Sequence, residues 1–205
     1  MWNNILITGG SGLLGTHLQQ HLPGRYPTHA AFDITTAQAA LPCDLLVHVA
    51  AYTNVDRAQD ERTACFTANV LGTLHLLALY PITPFVFIST EHVHAQGVYF
   101  ASKRIGEELV KTLARRYLII RTLFKPTPYP YPTAWIDQMT QGDGVDAIAP
   151  LIAREIQRWD GASKTVYVGT GRKSIYQLAR KTRPDVRPTL VEDYHGAVAR
   201  PKDYL

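Results

Sequence analysis

Short apolar runs and stretches with apolar residues at helical spacing succeed one another along most of this chain. Residues 4–8 form an apolar run that a glycine cluster ends, and Leu13, Leu14, Leu18 and Leu22 then recur at the period of a helix stopped by Pro23-Gly24. The pattern is strand, turn, helix. Residues 28–34 read as a second extended piece, and residues 43–50, apolar without alternation, as a strand buried on both faces. A helix over 56–80 follows, with Ala64, Ala68, Leu71, Leu74 and Leu77 on one broad face and Pro81 closing it. A strand at 85–89, a helix at 99–116 and a strand at 117–121 continue the alternation, which predicts an α/β fold with a doubly wound parallel sheet.

Beyond that point the texture changes. Residues 125–132 hold four prolines interleaved with Thr and Tyr, so neither a helix nor a central strand can run through them. Two more helices, 145–159 and 174–182, are expected around a strand at 165–168. With 205 residues, 46% of them hydrophobic and 19% charged, the chain suits one core and leaves no long disordered tract. Cys43 and Cys65 lack neighbours at metal-ligand spacing and read as free thiols, so no metal site is expected. The apolar run near the start ends at Gly9, far short of a signal segment or a membrane span, and a reducing cytoplasm is the expected compartment. The formal charge of +4 would help attract phosphate-bearing small molecules, but Lys and Arg do not cluster with aromatics, which argues against nucleic-acid binding.

Thr8-Gly9-Gly10-Ser11-Gly12-Leu13-Leu14-Gly15 lies where the first strand ends and the first helix opens, the context that makes a glycine cluster a phosphate cradle. Gly9 and Gly12 would let backbone approach a pyrophosphate, Gly15 would let helix pack on strand, and the helix N-terminus favours the anion. This is a Rossmann-type dinucleotide fingerprint. Asp33, 18 residues beyond Gly15, is placed to hold adenosine ribose hydroxyls, or else to cap a turn, since Thr35 and Thr36 follow it. Arg25 is the nearby cation that could meet a 2'-phosphate. The cofactor is therefore NADP or NAD, with NADPH slightly favoured.

Tyr99 and Lys103 are one helical turn apart on one face, and a neighbouring ammonium is expected to lower a phenol's pKa and make it a usable proton donor near neutrality. Thr90 stands at the C-terminal end of a buried strand, the edge where open α/β sheets hold ligands, and its hydroxyl can hydrogen-bond a reacting oxygen. Together they suit reduction of a carbonyl.

With these residues in place, the chain resembles the extended short-chain dehydrogenase/reductases, and within them the dTDP-4-dehydrorhamnose reductase group. Residues 5–15 resemble the family's first strand and glycine turn, Val49-Ala50-Ala51-Tyr52-Thr53-Asn54-Val55-Asp56-Arg57-Ala58 its signature after the middle strand, and residues 69–77 the helix after that. Phe87-Ile88-Ser89-Thr90, with Val93 beyond, resembles the active-site strand, and Arg200-Pro201-Lys202-Asp203 a segment near the family's C-terminus. The resemblance implies that Tyr99 protonates a sugar keto oxygen, that Lys103 binds the nicotinamide ribose and tunes Tyr99, and that Thr90 orients the substrate. It also implies that Ser11, Leu13, Leu14, Ala50, Ala51, Thr53 and Asn69 border the cofactor and that Asp33 and Ile34 contact adenine as the alternative to ribose. In related dehydratases the active-site Thr is followed by Asp and Glu, whereas here Glu91 and His92 follow. That points to a reductase or epimerase, with Glu91 donating a proton or binding the sugar.

The chain departs from the family in two places. Only residues 91–98 separate Thr90 from Tyr99, where the family has a long excursion, and the C-terminal substrate region is reduced. The expected organisation is a single domain, 1–205, with 125–205 contributing the small substrate-side part. Tyr129, Tyr131 and Trp135 could stack on a base or sugar, or lie in a plain surface loop. His92 and His94 are expected to point together into solvent. The expected activity is NAD(P)-dependent reduction of a keto group on a nucleotide-linked sugar. The alternatives are a nonenzymatic dinucleotide-binding regulatory subunit and a nucleotide-sugar epimerase. The apolar helix faces after Asp56 and Tyr99 suggest a homodimer.

Overall fold

The computed structural model describes residues 2–36 and 39–203. Its regular elements are β1 (Ile5–Thr8), α1 (Leu13–Leu18), β2 (Leu45–His48), α2 (Arg62–Phe66), α3 (Gly72–Leu79), β3 (Phe85–Thr90), α4 (Val98–Leu113), β4 (Tyr117–Thr122), α5 (Val145–Arg158), β5 (Lys164–Tyr167) and α6 (Ile175–Arg180). The five strands form one parallel sheet in the order β1-β2-β3-β4-β5. Every residue of β1, β2 and β3 is buried, which is why these runs are apolar without alternation.

Side chains alternate across the pleat, so the two faces carry separate cores. Ile5, Ile7, Val47, Val86 and Ile120 meet Leu14 and Leu18 of α1 and Ile148, Ile152 and Ile156 of α5. Leu6, Leu46, Phe85, Phe87 and Ile119 meet Leu76 and Leu77 of α3 and Val110 of α4. Helices thus cover both faces, and the sheet is doubly wound and Rossmann-type.

One expected strand is absent. Of the segment after Pro23-Gly24, only Arg25 bridges β1, through Ile7 N to Arg25 O and Arg25 N to Ile5 O, both at 2.9 Å. Residues 28–31 make a turn instead, and Asp33 Oδ1 accepts hydrogen bonds from Thr35 N and Oγ1 at 2.8 and 2.7 Å. These local bonds compete with a ladder, while Phe32 and Ile34 are buried in the α3 and α4 side of the core. Arg25 lies on one flank of β1 and β2 on the other, so the order in which segments are added switches sides there and leaves a crevice at the carboxyl ends of the strands.

The helix expected over 56–80 is segmented. A 3-10 turn at Arg57–Gln59 precedes α2, and a π-turn at Thr67–Leu71 joins α2 to α3. The wide turn holds the buried Asn69, whose carbonyl accepts from Thr73 Oγ1 at 2.7 Å. The proline-rich segment and the C-terminal residues build three small ladders beside the sheet: Phe124–Lys125 with Asp143–Gly144, Thr133–Trp135 with Arg187–Thr189, and Met139–Thr140 with Lys173–Ser174. Tyr129, Ala134, Ile175, Leu178, Ala179 and Val186 form a third cluster that fastens α6 to this wall. Among the described residues, no helix is long and apolar enough to cross a membrane.

Candidate functional site

A cavity of about 1170 Å³ runs along the carboxyl ends of β1 to β4. Its first end is the glycine turn. Gly9 has φ +72°, and a Cβ there would stand 2.6 Å from Ala50 N, so only glycine lets β1 turn this tightly against the end of β2. At Gly15 a Cβ would stand 2.1 Å from Gly9 O, so the loop and α1 are packed backbone to backbone. Thr8 Oγ1 accepts from Val49 N and Ala50 N, each at 3.2 Å, and contacts His48 Nδ1 at 2.8 Å, which locks the two strand ends together. No side chain caps the first turn of α1, which leaves its first amides without a side-chain partner at the cavity. Gly9, Ser11, Gly12, Leu13, Leu14, Asp33, Ile34, Ala50, Ala51 and Thr53 all line this part of the cavity. The glycines, the uncapped helix start and the Asp33 carboxylate beside apolar Leu13, Leu14, Ile34 and Ala50 form a floor that fits a dinucleotide.

Asp33 caps the turn through Thr35, the second of the roles weighed from sequence, and it also lines the cavity. Those hydrogen bonds hold its carboxyl below the usual range. Arg25 does not line the cavity and donates to Pro42 O, whereas His29, 3.6 Å from Asp33 Oδ2, lines this end.

Thr90, Tyr99 and Lys103 line the middle of the same cavity, brought together from the end of β3 and the first turns of α4. Lys103 Nζ donates to Ile88 O at 2.8 Å and sits 4.2 Å from the Phe87 ring centroid. Burial lowers its pKa to about 8. The expected acidification of Tyr99 is not present: burial pushes this phenol up, with the nearby Cys65 adding to the effect, because the ammonium is directed at Ile88 O. At neutral pH Tyr99 is therefore a phenol, the form that can give a proton. Behind the set, Arg121 grips Glu107 with two bonds of 2.9 and 2.7 Å, and Ser89 Oγ donates to Glu107 Oε1 at 2.6 Å, fixing the end of β3 against α4.

Three sequence candidates do not line the cavity. Gly15 acts through packing. Asn69 is buried, accepting from Tyr52 N at 2.7 Å and donating to Tyr52 O at 3.1 Å and Ser102 Oγ at 2.9 Å, so it holds the cavity-lining loop after β2 against α4. Glu91 is 1% exposed and is turned to the wall, accepting from Thr140 Oγ1 and from Gln141 N at 3.2 Å.

The far end holds Lys125, Tyr129, Tyr131, Trp135, Gln138, Tyr194 and Arg200. The aromatic loop thus faces the cavity, with Trp135 stacked edge-on to Tyr194 at 5.3 Å. His92 departs from expectation, being buried and cavity-lining while His94 is exposed. His92 and Lys125 were legible only as residues just past the carboxyl ends of β3 and β4.

The fold and glycine turn define a Rossmann-type α/β protein. The family described as RmlD substrate binding domain matches residues 3–125, and the chain belongs to that family. It is 31% identical over 147 residues to a dTDP-4-dehydrorhamnose reductase of Aggregatibacter actinomycetemcomitans, covering 58% of this chain and 50% of that one. It is 29% identical over 177 residues to one of Mycobacterium tuberculosis, covering 72% and 54%. The chain spans about half the length of these curated relatives. The crystal structure of dTDP-4-dehydrorhamnose reductase from Bacillus anthracis in complex with NADP superposes with a TM-score of 0.82 at 24% identity, covering 100% of this chain and 90% of that one.

Proposed function

We propose that this protein is an NAD(P)-dependent reductase of a keto group on a nucleotide-linked sugar, acting in the cytoplasm. The observation that carries the reading is the continuity of the cavity. Its volume, about 1170 Å³, exceeds the roughly 300–1,000 Å³ of ordinary single-ligand pockets, and Thr90, Tyr99 and Lys103 stand between its glycine end and its aromatic end. A dinucleotide and a nucleotide sugar would meet there. The names of the relatives and the NADP in the Bacillus anthracis structure support this choice of substrate and cofactor.

Gly9, Ser11, Gly12, Leu13 and Leu14 would hold the pyrophosphate, Asp33 and Ile34 the adenosine end, and Ala50, Ala51 and Thr53 the middle. When bound, the nicotinamide supplies the hydride that reaches the carbonyl carbon. Thr90 Oγ1 donates a hydrogen bond to the carbonyl oxygen and Tyr99 Oη gives it a proton. Burial keeps Tyr99 protonated, the form that reduction of the carbonyl requires. Lys103 would leave Ile88 O for the ribose hydroxyls, bringing its charge toward the phenol and stabilising the phenolate left after proton transfer. The residues at 124–144 and 170–203 form the substrate-side wall. The free thiols of Cys43 and Cys65 suit a reducing compartment. Leu71, Leu74 and Ile105 stay exposed on the helical side and offer a face for a homodimer, which light scattering would test.

The test is to mix purified protein with NADPH or NADH and a panel of 4-keto nucleotide sugars, following the loss of reduced-cofactor absorbance. Turnover by wild type that Tyr99→Phe abolishes would support the reading; cofactor binding with no turnover on any substrate would favour a regulatory role.

A further inference from the structure

The end of β3 that carries Thr90 is braced by the sheet on one flank. The β2 ladder stops at Phe87, whereas the β4 ladder continues through Ile88, Ser89 and Thr90. The second brace comes from α4. Its Gly106 lies so close to β3 that a Cβ there would stand 2.8 Å from Phe87 Cζ. One residue on, Glu107 is 1% exposed and spans a cross-strand pair, because Ser89 and Arg121 are register partners and both donate to its carboxylate. Ser89 Oγ does so at 2.6 Å, and Arg121 Nε and Nη2 at 2.9 and 2.7 Å. Arg121 is in turn steadied from β5, where Tyr167 Oη lies 3.1 Å from its Nη1. Burial works against a charge on Glu107, but the bonds from Arg121 and Ser89 outweigh it and hold the carboxyl below its usual range. A charged anchor with three bonds to two strands fixes both the distance and the rotation of the helix against them.

The anchor sits beside the reacting groups. Tyr99, Lys103 and Glu107 follow one another at four-residue spacing along one stripe of α4. On the facing strand Ile88 O receives Lys103 Nζ at 2.8 Å, Ser89 receives Glu107, and Thr90 is the next residue. Whatever sets the height of α4 over Ser89 therefore also sets Tyr99 and Lys103 against Thr90.

We propose that Glu107 is a positioning residue of the reduction, clipping α4 to the β3–β4 pair so that the Tyr99 phenol and the Lys103 ammonium meet the carbonyl that Thr90 holds. The inference rests on the reductase reading for the reaction it serves. Glu107 also acts on Lys103 through charge: burial lowers that pKa to about 8, and Glu107 works against the fall. The other titratable groups around Lys103 are Tyr99 on its own helix, the Cys65 thiol of α2 and the neutral His48 of β2, while β3 presents the Phe87 ring and the Ile88 carbonyl.

Kinetics of the full chain with NADPH and a 4-keto nucleotide sugar would test it, alongside thermal melts and titration of NADPH alone across pH. Ser89→Ala removes one bond of the anchor and leaves the Glu107–Arg121 pair in place, so kcat should fall about tenfold with KM, NADPH affinity and melting temperature near wild type. Glu107→Asp keeps the charge but draws the carboxylate back by one methylene, and a similar loss of kcat is expected. Glu107→Gln removes the charge as well. NADPH affinity, which uses the Lys103 ammonium on the ribose, should then fail at a pH about one unit lower than in wild type, while Ser89→Ala keeps the wild-type profile. Wild-type kcat in folded Ser89→Ala and Glu107→Asp overturns the proposal. So does an equal loss of kcat, substrate binding and NADPH binding, the mark of a merely structural residue. Should Glu107→Gln not fold, the other two variants decide. A wild type that binds NADPH but reduces no keto sugar ends the reductase reading alone; the clip is then supported by the displaced pH profile of Glu107→Gln and overturned by an unmoved one.

Discussion

Arg200 donates from Nη2 to Asp56 Oδ2 at 2.5 Å across 144 positions of chain, and both residues line the cavity. Asp56 also accepts from Val198 N at 3.2 Å and from Tyr194 Oη, so one carboxylate of the loop after β2 ties down residues 194–200 of the C-terminal segment. Asp56→Ala takes the carboxylate partner from a largely buried guanidinium, which keeps only its bonds to Tyr194 Oη and Val198 O. We expect a loss of about 1–3 kcal/mol in urea unfolding, the usual cost of stranding a buried partner. The KM for a nucleotide sugar should rise about tenfold with NADPH affinity unchanged. A variant that loses cofactor and substrate binding equally would contradict a wall confined to the substrate side.

Tyr99→Phe removes the proton donor and little else, since the ring keeps its contact with Phe100 at 5.3 Å. Turnover is expected to fall about 10²–10⁴-fold, the range for loss of a positioned general acid. Fluorescence titration should give NADPH affinity within twofold of wild type. A small effect on turnover would remove Tyr99 from the mechanism.

Gly9→Ala and Gly171→Ala separate crowding from backbone strain. Both glycines have positive φ, but a Cβ at Gly171 meets nothing within 4 Å while one at Gly9 meets Ala50 N at 2.6 Å. Gly171→Ala should cost about 1–3 kcal/mol through strain alone and leave cofactor binding intact. Gly9→Ala should cost more and weaken NADPH binding at least a hundredfold by moving the turn away from Ala50. Thermal melts with and without NADPH distinguish the two.

His48 is buried between Thr8 Oγ1 at 2.8 Å and Thr73 Oγ1 at 3.1 Å, and burial, with Lys103 nearby, depresses its pKa to about 3. A His whose folded pKa lies below its unfolded value of about 6.5 takes up a proton only on unfolding, so stability falls as pH drops from about 6.5 toward 3. His92 contributes the same sign down to about 4, and Glu91, pushed up by burial, opposes it near the foot of that range. His48→Gln should flatten the slope of unfolding free energy between pH 6 and 5 by up to about 1.4 kcal/mol per pH unit. An unchanged slope would mean that His48 is already protonated in the folded state.

The regular half of the molecule was readable because its signals are local. Buried parallel strands need unbroken apolar runs, helices that cover them need a stripe, and the Gly9–Gly15 spacing has few other uses between a strand and a helix. The segment 28–34 misled because its apolar residues do bury, but against helices, once Asp33 and Thr35 hydrogen-bond each other.

The sequence alone determined the doubly wound sheet, the glycine turn and the pairing of Tyr99 with Lys103 on one face of a helix, since each depends on neighbours a few residues apart. Only the tertiary structure decided where Lys103 directs its charge, that Glu91 faces the wall while His92 lines the cavity, and that Asp56 holds Arg200. These outcomes depend on burial and on partners far along the chain, and the desolvation that sets the protonation of Tyr99 and His92 exists only when the strands that enclose them have come together.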